Sequence, residues 1–450
     1  MGWRLKVSGY GKIEKAEIET APLTLFVGDN NSGKSYLMSL LWGVRNLGAE
    51  LLFGDGAAAE SEAENRLLCW IKEQIGAARE QGTHTVQASE IAKELQIVLK
   101  ERIKRNKDRF VKAIFNSSDV EMKELQIELK RLEDISLDFK VQQLGESIGI
   151  ALANTGNDGM GLILSEEEKA SGILGEESRR FIANRLMNLV LNSQGNGLNR
   201  EIYFPAARTG FMLSKDAINK AGRRAAFNIA AEQETMAPFV RPINQFLDVI
   251  NDLTLDSESN KTFADIVQYL ESGMADGTVE VSSLPNKEAL YVPNGKTSGM
   301  PLRITSAVVT ELSPLILILK HKKYVDALFY EEPEMCLHPQ LQQKMARVLC
   351  QLVNAGVQMN VTTHSDIILQ HVNNMIRLSG RDDREDICSR FEYTPRDLLS
   401  PEQVKVYQLK AEAGGKTKVE ELSCGENGFA VPTFNDALDR IMDEAYTIQE

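Results

Sequence analysis

Hydrophobic and polar residues alternate through the opening positions of the chain. Leu5 and Val7 recur in one short segment and residues 13–18 in the next, with the period of two that is typical of strands. Residues 23–27 form a continuous apolar run, short enough for a buried strand. After a glycine-rich stretch, apolar residues recur at helical spacing in Tyr36, Leu37, Leu40 and Leu41. The pattern predicts three strands, a loop and a helix.

Helical periodicity dominates from about residue 51 to residue 200. Apolar positions from Ile91 to Phe110 follow one face of a long amphipathic helix. Ser118 and Glu121 then fit a capping box that would start another helix. Four apolar residues at coiled-coil spacing come next and predict a short seam, packed as a helical hairpin: Met122, Leu125, Leu129 and Leu132. Residues 135–141 alternate like a strand.

From Ile202 onward the pattern is again that of a globular core. Residues 315–319 indicate the end of a helix, and residues 325–330 and 357–361 indicate buried strands. A hairpin is expected about residues 414–415, followed by an amphipathic helix through Phe434 and Leu438. We therefore predict four parts: an N-terminal core segment (1–50), a helical insertion (51–200), a second core segment (201–375), and a C-terminal hairpin and helix that complete the core (376–450).

The composition excludes several classes of protein. Of 450 residues, 43% are hydrophobic, which suits a globular protein with a sizeable core. The net charge of −13 argues against a protein that coats nucleic acid or an anionic membrane. The five cysteines are scattered and never form a C-x-x-C pair, which favours reduced thiols. With neither a signal peptide nor an apolar run of membrane-spanning length, we expect a soluble, cytoplasmic protein without membrane contact.

The strongest chemical signal is the sequence G-D-N-N-S-G-K-S at residues 28–35. Glycines in such a loop let backbone N–H groups surround phosphate oxygens, while the lysine supplies positive charge and the serine hydroxyl binds Mg²⁺. Because the motif lies between a predicted strand and a predicted helix, a phosphate loop is favoured over a flexible glycine turn. The predicted ATP-binding residues are Gly28, Asn30, Asn31, Ser32, Gly33, Lys34, Ser35 and Tyr36.

Two further motifs follow predicted buried strands. Glu331 and Glu332 come directly after an apolar run, where the first acid would hold Mg²⁺ and the second would orient or deprotonate an attacking water. A solvated acidic loop is the alternative. His364 follows two threonines at the end of the next strand. Alone it would more often be structural, but together with the other two motifs it becomes a contact of the γ-phosphate.

The order of these motifs resembles that of the ABC/SMC-type ATPases, in particular the OLD- and RecF-like AAA group and the ATPase subunits of bacterial anti-phage systems such as PARIS and Septu. The resemblance covers about residues 1–45 and 200–375, including E-E-P-E-M-C-L-H-P at 331–339 and T-T-H-S at 362–365. It implies an α/β fold, an ABC-type P-loop head with a mixed sheet and an inserted helical or short coiled-coil arm. It also implies Lys34 and Ser35 on ATP and Mg²⁺, Glu331 as the metal-side acid, and Glu332 and His364 as catalytic residues.

In that group two ATP molecules are bound between two heads, each phosphate loop facing the other's signature segment. The resemblance therefore implies a homodimer or a larger even-numbered assembly. The matching signature segment here contains Thr305 and Ser306, but Ala307 replaces a glycine, so an ordinary strand-to-helix turn stays an alternative. Glu331 stands where the group usually has aspartate, from which we expect slow turnover. Arg208, in a segment that also resembles the group, has two open roles: contact with phosphate or the facing subunit, or a structural bond.

These expectations lead to a specific hypothesis. The chain would be an ATP-hydrolysing sensor or scaffold subunit of an antiviral defence system that gates a separately encoded, nuclease-type effector through head dimerisation. The stretch after His364 lacks the strand-borne acids of a nuclease domain. The alternatives are a RecF-like repair ATPase that clamps DNA and an ATP-bound scaffold with little turnover. The basic residues of 100–112 would serve DNA or partner binding, although a solvated helix is favoured for them.

Overall fold

The computed structural model describes residues 2–53, 61–155, 160–171, 174–191, 200–226, 239–253, 260–282, 288–412, 414–431 and 442–448. The strands are β1 Trp3–Tyr10, β2 Ile13–Glu19, β3 Leu23–Gly28, β4 Thr83–Gln87, β5 Met122–Leu129, β6 Ser136–Leu144, β7 Ser147–Asn154, β8 Met160–Ile163, β9 Glu201–Phe204, β10 Gly277–Val281, β11 Ala289–Pro293, β12 Met300–Pro301, β13 Ala327–Glu331, β14 Gln358–Thr362, β15 Val404–Ala411 and β16 Thr417–Leu422. The helices are α1 Lys34–Phe53, α2 Glu62–Gln81, α3 Ala92–Phe115, α4 Glu166–Ser171, α5 Glu176–Leu191, α6 Arg208–Ala226, α7 Arg241–Asn251, α8 Ala264–Leu270, α9 Ala307–His321, α10 Pro339–Asn354, α11 Asp366–Ser379 and α12 Arg384–Phe391.

The chain divides into two compact units. The first contains residues 1–20, 39–200 and 414–418, and the second contains residues 21–38, 201–413 and 419–450. Among the described residues, no helix is both long enough and apolar enough to cross a membrane.

The first unit combines two sets of strands with packed helices. Strand β1 pairs antiparallel with both β2 and β5, and the first residues of β16 pair parallel with β2. A separate antiparallel sheet has the order β4-β6-β7-β8. Helices α2 and α3 are joined by a buried ion pair, in which Arg102 Nε lies 2.6 Å from Glu64 Oε1. The region predicted as a helical insertion thus holds the expected helices and also a sheet.

One prediction in this unit is wrong. The residues assigned to a coiled-coil seam do not share an α-helix, since Met122, Leu125 and Leu129 lie on a strand and Leu132 begins a 3-10 turn. Ser118 and Glu121 do not start a helix either. Instead Met122–Leu129 is strand β5, in which Leu125 pairs with Val7 and Ile127 with Leu5. The spacing of the apolar residues fits both a helix and a strand over so few positions, and the pairing partner lies more than a hundred residues earlier in the chain. The long helix through Ile91–Phe110 and the strand after residue 135 are confirmed as α3 and β6.

The second unit is built on a parallel sheet in the order β15-β3-β14-β13-β9. Every residue of β3 and of β13 is buried, which explains their continuous apolar sequences, since a parallel sheet is covered on both faces. Helices α7, α8, α9, α10 and α11 contribute side chains to its core. Parallel and antiparallel pairing both occur in the chain, so the predicted α/β fold with a mixed sheet is confirmed.

The C-terminal predictions are confirmed in part. Strands β15 and β16 are neighbours joined by a turn that contains Gly414 and Gly415, as expected for the hairpin. Phe434 and Leu438 of the predicted closing helix lie outside the described residues, and residues 442–448 are helical.

Candidate functional site

The three chemical motifs meet at one edge of the parallel sheet of the second unit. Strand β14 lies between β3 and β13, with Val361 paired to Leu25 on one side and to Tyr330 on the other. Because the strands are parallel, their carboxyl ends share an edge, which is where open α/β sheets bind ligands. The glycine-rich loop follows β3, Glu331 ends β13, and His364 follows β14. The predicted grouping of these motifs is therefore seen in the structure.

The loop after β3 has the backbone conformation of a phosphate-binding loop. Gly28, Asn31 and Gly33 have φ values of +136°, +60° and +100°. Such positive φ angles turn successive N–H groups toward the inside of the loop, which suits an anion. Helix α1 begins at Lys34, so its positive N-terminal end also faces this loop. The sequence therefore folds locally into a site for phosphate.

Lys34 lies inside this loop. Its Nζ donates hydrogen bonds to the carbonyl oxygens of Gly28 at 3.0 Å and Asp29 at 2.7 Å. Burial lowers the pKa of Lys34, and the nearby carboxylates of Glu332, Asp29, Glu334 and Glu331 oppose that shift. The loop carbonyls thus hold the ammonium group where a phosphate would enter.

The other predicted nucleotide-binding residues differ in exposure. Ser32 is buried, and Asn30, Asn31, Ser35 and Tyr36 are exposed. Tyr36, in the first turn of α1, is 41% exposed. The four exposed residues are accessible to a nucleotide on the open side of the loop.

Glu331 fits the role of a metal-side acid. The residue is 6% exposed, and its Oε2 accepts a hydrogen bond of 3.1 Å from the Ala206 N–H. Its other oxygen, Oε1, is buried and has no hydrogen-bond partner. A buried carboxylate oxygen left unpaired costs free energy, and carboxylate oxygen is a ligand that Mg²⁺ prefers. The residues present therefore fit a magnesium ion.

Glu332 has an unusual backbone conformation. Its φ of +44° lies in the left-handed region, which is uncommon for a residue with a side chain and occurs often at active sites. Its N–H donates to the Thr362 carbonyl oxygen at 2.9 Å, and its carboxylate Oε1 lies 3.8 Å from His364 Nε2. The strand-end conformation thus directs the two predicted catalytic side chains toward each other.

A third carboxylate, Glu334, holds the segment that carries His364. Glu334 Oε1 accepts from the His364 N–H at 2.6 Å, and Oε2 accepts from the Thr363 hydroxyl at 2.9 Å. Burial raises the pKa of Glu334, and these hydrogen bonds oppose the rise. Burial also lowers the pKa of His364, an effect that the charge of Lys34 strengthens. His364 is therefore favoured as a neutral imidazole.

Of the two roles left open for Arg208, the structure favours the structural bond. The residue is fully buried, and its Nη1 donates to the Glu331 carbonyl oxygen at 2.6 Å while Nη2 donates to that of Glu332 at 2.9 Å. It also forms an ion pair with Glu311 and lies 4.7 Å from the centre of the Tyr330 ring. Burial raises the pKa of Tyr330 to about 12. Arg208 therefore contacts the backbone of both strand-end acids.

Thr305 and Ser306 of the predicted signature segment lie at the start of α9. Ser306 is the N-cap residue, and its hydroxyl accepts from the Val309 N–H at 3.4 Å. The Thr305 hydroxyl donates to the Leu302 carbonyl oxygen at 2.8 Å. Ser306 is exposed, and the N-terminus of a helix attracts anions. The location suits contact with a phosphate, and the role in binding stays a prediction.

Glu334 and Glu311 are functional residues that were not predicted from the sequence. Glu334 is the last acid of the E-E-P-E motif, so its position in the motif was the available signal. Glu311 is 1% exposed within the apolar sequence of α9. A lone acid among so many apolar residues indicates a buried partner, because a carboxylate is not buried without one. Its partner could not be identified from the sequence.

Comparison with known families agrees with this geometry. The model of the AAA ATPase domain family matches residues 3–369, which is most of the chain. The chain belongs to this family. It is thus an ATPase of the AAA type. A search of the curated proteins finds no match.

Similar solved structures include heads of SMC proteins. An SMC head bound to the C-terminal winged-helix domain of ScpA is 13% identical, with a TM-score of 0.37, and the match covers 93% of this chain and 97% of that one. The SMC head domain from Thermotoga maritima is 11% identical, with a TM-score of 0.33, covering 93% and 98%. An SMC head with an extended coiled coil, bound to the C-terminal domain of ScpA derived from Pyrococcus furiosus, is 12% identical, with a TM-score of 0.38, covering 99% of each chain. Likenesses of this size carry no conclusion about function.

Proposed function

We propose that this ATPase hydrolyses ATP in composite sites between two copies of the chain and thereby gates a separately encoded, nuclease-type effector of an antiviral defence system. The observation that carries the ATP chemistry is the meeting of three motifs at the ends of adjacent parallel strands β3, β14 and β13. Phosphate-binding loop, paired acids and histidine are the parts that phosphoryl transfer to water requires.

Each residue at this edge has a defined task. Lys34 transfers its hydrogen bonds from the loop carbonyls to the β- and γ-phosphates when ATP enters. Glu332 orients the attacking water and accepts its proton, and neutral His364 contacts the γ-phosphate beside it. Glu334 keeps the His364 backbone in place through two hydrogen bonds. These groups are positioned before the substrate binds, which lowers the reorganisation needed for the reaction.

Ser35 and Glu331 are the residues that would hold Mg²⁺. When bound, the ion neutralises charge on the β- and γ-phosphate oxygens. The Glu331 carboxylate has one oxygen taken by the Ala206 N–H and one buried and unpaired. Because this acid is one methylene longer than aspartate, we propose that turnover is slow.

Dimerisation supplies the second half of each site in this proposal. Thr305 and Ser306 of one chain would contact the γ-phosphate bound to the other, with the exposed N-terminus of α9 directed at the anion. Closure of the heads on ATP and release after hydrolysis would then change the surface available to an effector. The resemblance of the motifs to those of defence ATPases supports a separate effector.

The test uses the Glu332→Gln variant, which keeps the side-chain size but removes the base. The tagged variant is purified from its own host with ATP and Mg²⁺ and analysed by native mass spectrometry, with identification of every component. Glu385→Gln is the matched control, because Glu385 is exposed on α12. We expect the Glu332 variant to carry ATP and one additional polypeptide with a nuclease sequence, and the control to carry neither in comparable amount.

Other outcomes contradict the proposal. A dimer with ATP but without a second polypeptide would refute effector gating. A dimer that holds DNA would favour the RecF-like clamp, for which the exposed Lys100, Lys104 and Lys112 of α3 are the available contacts. Part of the basic stretch is already used within the first unit, since Arg102 pairs with Glu64 and Lys107 Nζ donates to the Met122 carbonyl oxygen. Tight ATP binding without hydrolysis by the wild-type chain would indicate a scaffold.

A further inference from the structure

The segment that follows β9 is joined to the two strand-end acids by Arg208. The guanidinium donates to the carbonyl oxygens of Glu331 and Glu332 and also to that of Pro205, at 3.0 Å from Nη1. An arginine side chain is a rigid planar group with several donors, so bonds to successive carbonyls define their relative position. The residue is fully buried and therefore does not contact a nucleotide directly. Its position fixes the backbone from which both acids project.

The same guanidinium contacts helix α9 through Glu311. This carboxylate forms an ion pair with Arg208, and its Oε2 accepts from the Thr209 hydroxyl at 2.5 Å. Glu311 lies five positions after Ser306, the N-cap residue of α9, so the two are on one rigid helix. A displacement of the α9 N-terminus therefore moves Glu311, and with it the partner that orients Arg208.

We propose that Arg208 and Glu311 are positioning residues that couple the signature segment of a chain to the glutamates at the end of its own strand β13. In the composite sites proposed above, Thr305 and Ser306 serve the ATP of the facing chain, whereas Glu331 and Glu332 serve the chain's own ATP. The buried pair thus connects two different active sites. When the N-terminus of α9 contacts the ATP of the facing chain, Glu311 and Arg208 bring Glu331 and Glu332 of its own chain into position. The rate of hydrolysis is therefore cooperative in ATP concentration. The inference rests on the proposed dimeric function.

Charge and burial explain why a shift of Glu311 must be followed by a shift of Arg208. Both partners are essentially inaccessible to water, at 0% and 1% exposure. Water therefore cannot replace either partner when the other shifts, and separation would leave an uncompensated buried charge. The two groups must move together. A solvated pair on the surface would have no such constraint.

Thr209→Val is the main test. This substitution removes the hydroxyl that orients Glu311 but retains the size and branching of the side chain. Thr209→Ser restores the hydroxyl and is the rescue variant. Ser313→Ala is the matched control, because Ser313 is buried on the same helix and its hydroxyl donates to the Thr310 carbonyl oxygen, at 2.9 Å. ATP hydrolysis is measured against ATP concentration, and each variant's thermal unfolding is recorded.

For the wild type we expect a Hill coefficient approaching 2, the number of coupled sites in a dimer. Thr209→Val should lower the coefficient to about 1 and kcat several-fold, with the ATP concentration for half-maximal rate changed little. Thr209→Ser and Ser313→Ala should both behave like the wild type. Glu311→Gln should reproduce the valine variant if it folds, and the conclusion does not depend on it.

Three results would overturn the inference, and they are distinguishable from failure of the proposed function. A wild-type coefficient of 1 would exclude coupling while leaving hydrolysis intact. Retained cooperativity in Thr209→Val would show that the contact is only structural, as would an equal loss in Ser313→Ala. A wild-type chain that binds ATP but does not hydrolyse it would refute the proposed function and this inference with it.

Discussion

Gly28→Ala is the substitution for which the structure predicts the clearest loss. Gly28 has a φ of +136°, a conformation that residues with a side chain rarely adopt. A Cβ atom built on it would lie 2.1 Å from the carbonyl oxygen of Leu409, its neighbour on strand β15. That oxygen belongs to the backbone of a paired strand and cannot rotate away. Either β15 or the start of the phosphate loop must therefore move.

The cost follows from two contributions. Holding a residue with a side chain in such a conformation costs about 1–3 kcal/mol. Separating the ends of β3 and β15 loses on the order of one backbone hydrogen bond, about 1 kcal/mol. We therefore expect a destabilisation of about 2–4 kcal/mol and a fall in Tm of roughly 3–7 °C. If the loop must return to its original path to bind phosphate, ATP affinity falls about 10- to 100-fold.

The assay compares this variant with Gly76→Ala. Gly76 is inside helix α2, and a Cβ atom there would meet nothing within 4 Å. The same chemical change should stabilise that helix by about 0.5–1 kcal/mol, because alanine is the better helix former. Thermal unfolding and equilibrium binding of a fluorescent ATP analogue are measured for both variants. Wild-type Tm and affinity in Gly28→Ala would refute the reasoning, since the close contact with Leu409 would then not constrain the loop.

Two further predictions concern stability. Asp397 is fully buried, and although burial alone would raise its pKa, hydrogen bonds from Arg347, Thr394 and Gln351 outweigh it and hold the pKa below the ordinary 3.8. Asp397→Asn should therefore lower the free energy of unfolding at neutral pH by about 3–5 kcal/mol. In denaturant titrations this difference should shrink as pH falls below about 4, because the carboxylate of the unfolded chain is then protonated first, and it should vanish below the lowered pKa of the folded state. A difference independent of pH would contradict the assignment. Ile127→Ala should lower the free energy of unfolding by about 2–5 kcal/mol, and Leu129→Ala should lower it by less. The reason is that Ile127 is 2% exposed on β5, whereas Leu129 is only partly buried. If urea unfolding gave the opposite order, the coiled-coil seam would be favoured over the strand.

The site residues that could be predicted are those whose sequence signals lie within a few neighbouring positions. The phosphate loop needs glycines, a lysine and a serine within eight positions, and these requirements act on neighbouring residues. The acids and the histidine each follow an apolar run, and the structure confirms those runs as β13 and β14. Residue type and order along the chain were therefore enough to identify Lys34, Glu331, Glu332 and His364 as one group.

The sequence by itself thus determined strands β3, β13 and β14, the loop and helix α1 after β3, and the chemical residues at the ends of these strands, because hydrophobic period and backbone chemistry are local properties. Only the tertiary structure decided which strands are neighbours, that Met122–Leu129 pairs as a strand with β1, and that Arg208 meets Glu311. The last two depend on contacts between residues a hundred or more positions apart. Short apolar spacing fits a helix and a strand alike, and a buried arginine gives no sign in the sequence of the carboxylate that will balance its charge.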